Sequence, residues 1–348
     1  MKPSVTCFSS AAAGERMKIW YDACTGKHVR YGAAIAKQLR KAGHEIIFTT
    51  REHPDTLCLA RMLGENPVVV GKYDPTSPFS RLEKSAKRTV QLAELFRDRL
   101  PDVAISHQSV ELCRVAFGLG VPVILTADTP HANAVNRLTV PLAETLVVSE
   151  AIPQSFYKRL GAKSIVRFKG VDEVAWIKNF KPSGKFEFEF EKPLIVVRQM
   201  ETRASYALGK GDETLELAEK LGSLGNVLFI SRYERLEKEG VTAKTEFVDS
   251  ASAVAHADLV VSVGGTISRE AALQGVPSIV ISDIGRTYVN RYLAKLGFPL
   301  FMVNAREALR YSKKYLGKRL DVTLKLARLE DPVNIIERVA TGLAGTEK

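Results

Sequence analysis

The segment around residues 258–282 combines residue types that can hold an anion. An apolar strand is predicted to run into Gly264-Gly265, and a helix follows from Thr266 to about residue 274. The glycines let a ligand approach the backbone closely, and the first N–H groups of a helix lack internal partners and favour an anion. Glu270 lies one turn after Thr266 on the same face, about 6 Å along the axis.

This spacing predicts a diphosphate at the helix start and ribose hydroxyls on the Glu270 carboxylate. A second strand begins near Pro277, so the segment is a βαβ unit with its glycine turn at the carboxyl end of a strand, where open α/β sheets bind ligands. The alternative is a tight strand-to-helix turn in which Glu270 only complements the helix dipole.

A second loop, Thr25-Gly26-Lys27-His28, follows the first predicted strand and opens a helix. His28 is a candidate general base, because a helix N-terminus favours the neutral imidazole that a base requires. Lys27 can neutralise a phosphate or an acidic acceptor. The alternative is a polar loop with a solvated lysine.

Other candidates follow further strands of the first half. Asp128 and His131 share a loop after the strand at 121–125, and they either line a cleft or belong to a turn built from Asp, Pro and Asn. His107 ends the preceding strand and is expected to face the same crevice, with Ser109 as the N-cap of the next helix.

The second half supplies polar side chains after its own strands. Arg198 is placed to pair with phosphate oxygens, and Ser205 lies in the segment that follows it. Ser231 is expected to border the nucleotide base, and Asn290 to contact a sugar hydroxyl. Each of these is equally compatible with an ordinary surface position.

Strands and helices alternate along the chain, which indicates an α/β protein with mostly parallel sheets. Strands are predicted near 18–22, 45–50, 67–70, 102–106, 121–125, 145–148, 163–168, 194–198, 226–231, 244–248, 258–263, 277–281 and 300–303. Helices are predicted near 29–42, 55–64, 79–99, 109–118, 152–160, 211–221, 250–256, 266–274, 287–296, 305–316 and 333–343. In the helix at 79–99, Leu82, Ala86, Val90, Ala93 and Phe96 are expected to form the apolar face, with Arg88 elsewhere.

Segments rich in glycine, proline and serine divide the chain into predicted structural units. The predicted units are a disordered extension (1–16), a first Rossmann-like domain (17–170), a linker (171–193), a second Rossmann-like domain (194–330) and a final segment (331–348) whose helix returns to the first domain.

Composition limits the classes of protein to which the chain can belong. The 348 residues carry a net charge of +11, and residues 1–180 hold 25 lysines and arginines against 17 aspartates and glutamates. A basic first half indicates either an anionic partner on that side or a generally basic surface without a dedicated partner. The four cysteines show no metal-binding spacing, so no metal site is expected. Without a signal peptide or a long apolar run, the expected location is the cytoplasm.

Several of these residues carry a resemblance to known enzymes. Thr25-Gly26-Lys27-His28 with the following helix resembles the opening of the GT-B glycosyltransferase that completes lipid II in bacteria, although Lys27 replaces a glycine of that loop. Gly264-Gly265-Thr266 to Glu270, then Gly275-Val276-Pro277, resembles the donor-nucleotide segment of that enzyme and of UDP-GlcNAc 2-epimerases. More closely still, the chain resembles an uncharacterised archaeal family, a domain of unknown function, placed with the GT-B enzymes.

The resemblance implies a GT-B fold, with two Rossmann-like domains across a cleft. The second domain would hold a nucleotide-diphosphate sugar as substrate, and the first an acceptor, near Thr25, Gly26, Lys27, His107 and His131. His28 and Asp128 would be catalytic, with inversion at the sugar and neither cofactor nor metal. The acceptor is unknown, and a lipid-linked or anionic one would bring a peripheral position at the inner membrane face.

Two other functions stay open. A 2-epimerase or hydrolase would use the same cleft without an acceptor, although the acidic residues that 2-epimerases place around their sugar are not recognisable in this sequence. A non-catalytic nucleotide or nucleic-acid binder is suggested by the basic first half, without any nucleic-acid motif.

Overall fold

The computed structural model describes residues 16–184, 190–200, 212–231, 237–238 and 240–344. Most of the predicted extension, part of the predicted linker, and Ser205 therefore lie outside the described residues. Within them, the chain forms two seven-stranded sheets. The prediction of an α/β protein is confirmed.

The first sheet has the strand order β3-β2-β1-β4-β5-β6-β7, and all of its strands are parallel. Its strands are β1 (Lys18–Ala23), β2 (Glu45–Glu52), β3 (Val68–Lys72), β4 (Val103–His107), β5 (Val123–Thr126), β6 (Thr145–Ser149) and β7 (Ser164–Phe168). The helices between and after them are α1 (Gly26–Lys41), α2 (Pro54–Met62), α3 (Pro78–Leu95), α4 (Val110–Gly118), α5 (Asn133–Thr139), α6 (Gln154–Arg159) and α7 (Val174–Ile177). The strand order reverses between β1 and β4, which places the loops after these strands at a switch point.

The second sheet repeats this plan with the order β10-β11-β9-β8-β12-β13-β14. Its strands are β8 (Leu194–Arg198), β9 (Asn226–Ile230), β10 (Glu237–Lys238), β11 (Val241–Lys244), β12 (Leu259–Ser262), β13 (Ser278–Val280) and β14 (Leu300–Met302). Its helices are α8 (Thr214–Leu221), α9 (Ser250–His256), α10 (Thr266–Leu273), α11 (Tyr288–Lys295), α12 (Ala305–Tyr315), α13 (Thr323–Ala327) and α14 (Pro332–Ala344). Only β10 and β11 pair antiparallel among the strand pairs described. The switch point lies between β8 and β12.

Both sheets are covered on their two faces, as all-parallel strands require. Ile19, Trp20 and Val261 are fully buried. Helix α14 packs on the first sheet, where Ile336 and Ala340 join the cluster that contains Ile19. Among the described residues, no helix combines the length and apolar character that a bilayer crossing needs.

Three details differ from the sequence-based predictions. The strand expected at 244–248 lies earlier, at β11, and residues 245–248 lead to the cleft described below. Helices α5, α7 and α13 and strand β10 were not predicted. Helix α5 lies in a segment rich in turn residues and α7 in the expected linker, while α13 has only five residues and β10 only two.

Helix α3 is the third difference. Leu82 and Val90 were expected to face the core, yet they are 68% and 59% exposed. Arg88 is buried in their place, because its guanidinium forms an ion pair with the buried Asp22 at 2.5 Å and its Nε donates to the carbonyl of Val70 at 2.8 Å. An arginine whose charge is paired and whose stem is apolar can occupy a helix's inner face.

Candidate active site

The carboxyl ends of the two sheets meet across a cleft of about 600 Å³. The loop after β1 forms part of one wall, with Cys24, Thr25, Gly26 and Lys27. The loop after β12 forms part of the opposite wall, with Gly264, Gly265 and Thr266. The two glycine loops singled out in the sequence therefore face each other, each at the switch point of its own sheet.

The turn into α10 is open towards the cleft. Gly264 and Gly265 have φ angles of 107° and 92°, a region that side chains disfavour. A Cβ on Gly264 would lie 2.6 Å from the Cα of Gly285, whereas one on Gly265 would meet nothing within 4 Å. Gly265 is the N-cap of α10 and has no side chain to bond the first N–H groups. Unpaired N–H groups at the start of a helix favour an anion.

The other residues predicted for the nucleotide side divide into two groups. Arg198 and Ser231 line the cleft, and the Ser231 hydroxyl donates to Gln199 Oε1 at 3.0 Å. Asn290 is fully buried and is not on the cleft wall. Its amide donates to the carbonyl of Gly285 at 2.7 Å, so it holds the turn behind Gly264, contrary to the expected sugar contact.

Glu270 lies at the floor of the cleft and has no exposed surface. Trp176 Nε1 donates to its Oε1 at 2.9 Å, and the Ser250 hydroxyl donates to its Oε2 at 2.8 Å. Arg30 Nε lies 3.5 Å from Oε1. Burial raises the pKa of Glu270, and Arg30 and the two hydrogen bonds oppose that shift. The carboxylate thus joins α10 to helices α1, α7 and α9.

His28 lies beside the wall of the cleft rather than on it. Its Nδ1 accepts a hydrogen bond from the Cys24 N–H at 3.3 Å, and its ring contacts that of His107 edge-on at 5.0 Å. Burial, and then the charges of His107, Lys27 and Arg51, lower the pKa of His28 well below its usual value. The imidazole is therefore neutral at neutral pH, with its proton on Nε2.

Lys27 is the centre of a buried ionic cluster. Its Nζ lies 2.5 Å from Asp128 and 2.8 Å from Asp172, and 3.5 Å from Glu173. Arg269 of α10 reaches the same carboxylates, at 2.9 Å from Asp128 and 2.7 Å from Glu173. The cluster therefore joins the first sheet, the connecting segment and the second sheet directly below the cleft.

Asp128 is ionised in this cluster. Burial alone would raise its pKa, but Lys27, His107 and Arg269 hold the pKa well below the usual value. One edge of Asp128 still lines the cleft.

His107 is buried beneath the cleft wall, and its Nδ1 shares a 2.8 Å hydrogen bond with the Thr126 hydroxyl. His107, Asp128 and Asp172 could offer metal-ligand atoms within 4.8 Å of one another. The Lys27 ammonium, however, already lies against both carboxylates, so a metal ion would meet a like charge there. His131, the remaining histidine of this side, lines the cleft.

Arg51, at the end of β2, was not predicted from the sequence. Its guanidinium lies 4.0 Å from the centre of the Tyr73 ring, and its Nε donates to the carbonyl of Cys24 at 3.0 Å. Both side chains line the cleft, and within the described residues the terminal nitrogens of Arg51 have no hydrogen-bond partner. A stacked arginine with free terminal nitrogens is suited to bind a carboxylate or phosphate.

For two of the site residues that were not predicted, Arg51 and Arg269, the sequence does contain an indication of their position. Arg51 directly follows the strand predicted at 45–50, at the same sheet edge as the first glycine loop. Arg269 lies in the first turn of α10, where the dipole disfavours a cation, so a nearby carboxylate was to be expected. Asp172 and Glu173 gave no such signal, because they lie in the predicted linker.

Comparison with known proteins agrees with this architecture. The sequence pattern of one family, described as a protein of unknown function (DUF354), matches residues 17–343. The chain belongs to the DUF354 family. One relative is an uncharacterised protein, MJ0665, of Methanocaldococcus jannaschii. It is 30% identical over 345 residues, and the match covers 94% of this chain and 99% of that protein.

Two enzymes are similar to this DUF354 protein, one in sequence and one in fold. The UDP-N-acetylglucosamine–N-acetylmuramyl-(pentapeptide) pyrophosphoryl-undecaprenol N-acetylglucosamine transferase of Thermus thermophilus is 27% identical over 281 residues, 74% of this chain and 77% of that enzyme. The structure of the M. jannaschii UDP-GlcNAc 2-epimerase in complex with UDP-GlcNAc and UDP has a TM-score of 0.70 at 15% identity, covering 94% of this chain and all of that one. The fold is GT-B, as the sequence resemblance predicted.

Proposed function

We propose that this DUF354 protein is a glycosyltransferase that uses a nucleotide-diphosphate sugar. One observation supports the proposal above the others: the open N-terminus of α10 and the loop after β1 face each other across one cleft. The relative from T. thermophilus is a transferase of this kind, and the 2-epimerase of similar fold binds UDP-GlcNAc and UDP.

In this proposal the diphosphate binds the first N–H groups of α10, with Arg198 beside it. An acceptor hydroxyl attacks the anomeric carbon from the side of the first sheet, and the bond from that carbon to the diphosphate oxygen breaks with inversion. The helix dipole and Arg198 stabilise the charge that develops on the leaving diphosphate, so these groups can act without a metal.

The acceptor proton passes to a neutral histidine. His28 is the candidate from the sequence, but its Nδ1 accepts from Cys24, so it acts as a base only if that 3.3 Å bond breaks or the other tautomer forms. His131 on the cleft wall is the alternative that the geometry adds. Burial lowers the pKa of both histidines, which keeps them neutral.

The acceptor is proposed to carry an anionic group. Arg51 projects into the same part of the cleft as Lys27, and its terminal nitrogens can form a bidentate contact with a phosphate or carboxylate. Lys27 cannot take this role, because its ammonium is already shared among three carboxylates.

The test uses ligand binding first and turnover second. UDP-, GDP-, CMP- and dTDP-sugars are screened for stabilisation against heat, since a ligand that binds only the folded state raises the melting temperature. The sugar that binds is then incubated with and without anionic acceptors, and free nucleoside diphosphate is measured. We expect release that depends on the acceptor. A protein that none of the four nucleotides stabilises would contradict the proposal.

An epimerase or hydrolase is the second candidate, because ionised Asp128 lines the cleft and the 2-epimerase shares the fold. A carboxylate can remove a sugar proton, or activate water, without any acceptor. A changed sugar or free UDP from UDP-GlcNAc alone would favour this candidate over the transferase.

For the transferase reaction, replacing His28 and His131 separately by alanine identifies the base that takes the acceptor proton. Only the variant that lacks this base should lose turnover while keeping its affinity for the donor.

A further inference from the structure

Helix α3 carries an apolar face that is largely uncovered within the described residues. We name it the α3 stripe and define it as Phe79, Leu82, Ala86, Val90 and Ala93. Phe79 is 75% exposed, Leu82 68% and Val90 59%, and Ala86 is also exposed, whereas Ala93 at one end of the stripe is half-buried against the core. The core-facing side of the helix is a different one, formed by Arg88 and Leu92. Exposed apolar side chains that are contiguous on one face indicate an interaction surface.

The spacing along the stripe is symmetric. Its successive residues are separated by three, four, four and three positions, so the pattern reads the same in both directions from Ala86. When two such helices pack antiparallel around a two-fold axis through Ala86, Leu82 lies opposite Val90 of the second copy, and Phe79 opposite Ala93. Large side chains then face smaller ones, and alanine at the centre allows the helices to approach closely.

The charged residues beside the stripe can pair with the same residues of a second copy. Glu83 and Lys87 lie on one flank of the helix and form an ion pair at 2.6 Å within the chain. In the antiparallel pair this flank adjoins the same flank of the second copy. Glu83 is then offset from Lys87 of that copy by about two residues, or about 3 Å along the axis.

We propose that the α3 stripe is the interface of a two-fold symmetric dimer of this chain. An 18-residue helix is about 27 Å long and about 10 Å wide, so the stripe alone covers roughly 270 Å² per copy. A standard interface covers roughly 800 Å² per partner. Val68 and Val69 on the neighbouring edge strand are also exposed, but they point to opposite faces of the sheet, so at most one of them can extend this surface. We therefore expect a reversible dimer whose fraction rises with concentration.

Sedimentation equilibrium of the full chain between about 1 and 100 µM tests the proposal. The average mass of the unaltered protein should rise towards that of a dimer, and the Leu82→Glu variant should stay monomeric. Leu324→Glu is the matched control, because Leu324 is 75% exposed on α13 in the second half of the chain. A monomer throughout the range, or a Leu82→Glu variant that associates like the Leu324→Glu control, would overturn the proposal.

A cysteine at the axis tests the geometry. Ala86→Cys should form a disulfide between two copies under mild oxidation, since the two residues meet at the two-fold axis. Glu94→Cys lies about 12 Å from the axis along the helix, so its counterpart is about 24 Å away and should not react. Cross-linking of both variants, as in a parallel pair, would contradict the antiparallel arrangement. Leu82-dependent binding of a monomeric protein to phosphatidylglycerol vesicles would assign the stripe to a membrane instead.

Discussion

The Gly265→Ala variant separates anion binding from backbone strain. Gly265 has a φ angle of 92° and a site for Cβ with no atom within 4 Å, on the wall where the diphosphate is proposed to bind. Gly43, in the turn after α1, has a φ angle of 94° and equally open surroundings, but it is not on the cleft wall. Gly43→Ala is therefore a control for a methyl group at a positive φ away from the cleft. The strain at Gly265 is the larger of the two, because its ψ angle of −164° places it in a region that is almost exclusive to glycine.

The two effects have different magnitudes. Alanine costs about 1–2 kcal/mol in the left-handed region and about 1–3 kcal/mol at the backbone angles of Gly265, so both variants should melt a few degrees below the unaltered protein. The methyl group of Gly265→Ala also fills space next to the first N–H groups of α10, and we expect at least about tenfold weaker nucleotide binding. At a ligand concentration of about 100 times the original Kd, stabilisation by the ligand then falls from roughly 2.7 to roughly 1.4 kcal/mol.

Differential scanning fluorimetry with and without the best nucleotide of the screen measures both quantities. The expected result is a loss of melting temperature for both variants in the absence of ligand, at least as large for Gly265→Ala, and a smaller ligand-induced rise for Gly265→Ala only. If the nucleotide stabilises the two variants to the same extent, the diphosphate does not bind at this turn, and the proposed donor site is refuted.

Three further predictions concern the rest of the cleft. Arg51→Met should raise the KM for an anionic acceptor at least about tenfold and leave donor affinity unchanged, because only the bidentate contact is lost; initial rates at saturating donor measure this. Asp128→Asn should destabilise the protein by about 3 kcal/mol at pH 7, since Lys27 and Arg269 lose a buried carboxylate. The unaltered protein should lose this stability as the pH falls from about 5 through the lowered folded pKa of Asp128, whereas the variant has no such carboxylate to protonate. Urea titrations of both proteins between pH 3 and 7 measure the difference in their free energies of unfolding. Trp176→Phe leaves Glu270 without its indole donor and should cost about 1–3 kcal/mol in a urea titration at pH 7.

The sheets were predictable because their strands are short apolar runs between turn residues. Once the strands alternate with helices, parallel pairing follows, and parallel strands bring their carboxyl ends to one edge. This reasoning was enough to place Gly26 and Gly265 beside ligand-binding edges. It did not place them opposite each other, because that depends on contacts between segments far apart in the chain.

Helix α3 shows why periodicity alone was insufficient there. Its sequence has two apolar faces, one containing Leu82 and Val90 and the other containing Leu92. Phe96 was expected on the first face, but it is buried just after the end of the helix. The choice between them depends on Arg88, which is drawn inwards by Asp22, 66 residues away. A hydrophobic pattern assigns charge to the outside, so a buried ion pair with a distant partner reverses the assignment.

Glu270 shows the corresponding limit for the site. Its spacing from Thr266 predicted contacts with ribose hydroxyls, but spacing does not reveal which protein groups already use the carboxylate. Its oxygens offer about four lone-pair sites, and Trp176 and Ser250 donate to two of them while Arg30 lies nearby. Because Glu270 has no exposed surface, a ribose hydroxyl can reach it only where one of these donors withdraws. Ser250 also lines the cleft, so the ribose is expected to take the place of its hydroxyl, which would couple donor binding to a shift of α9.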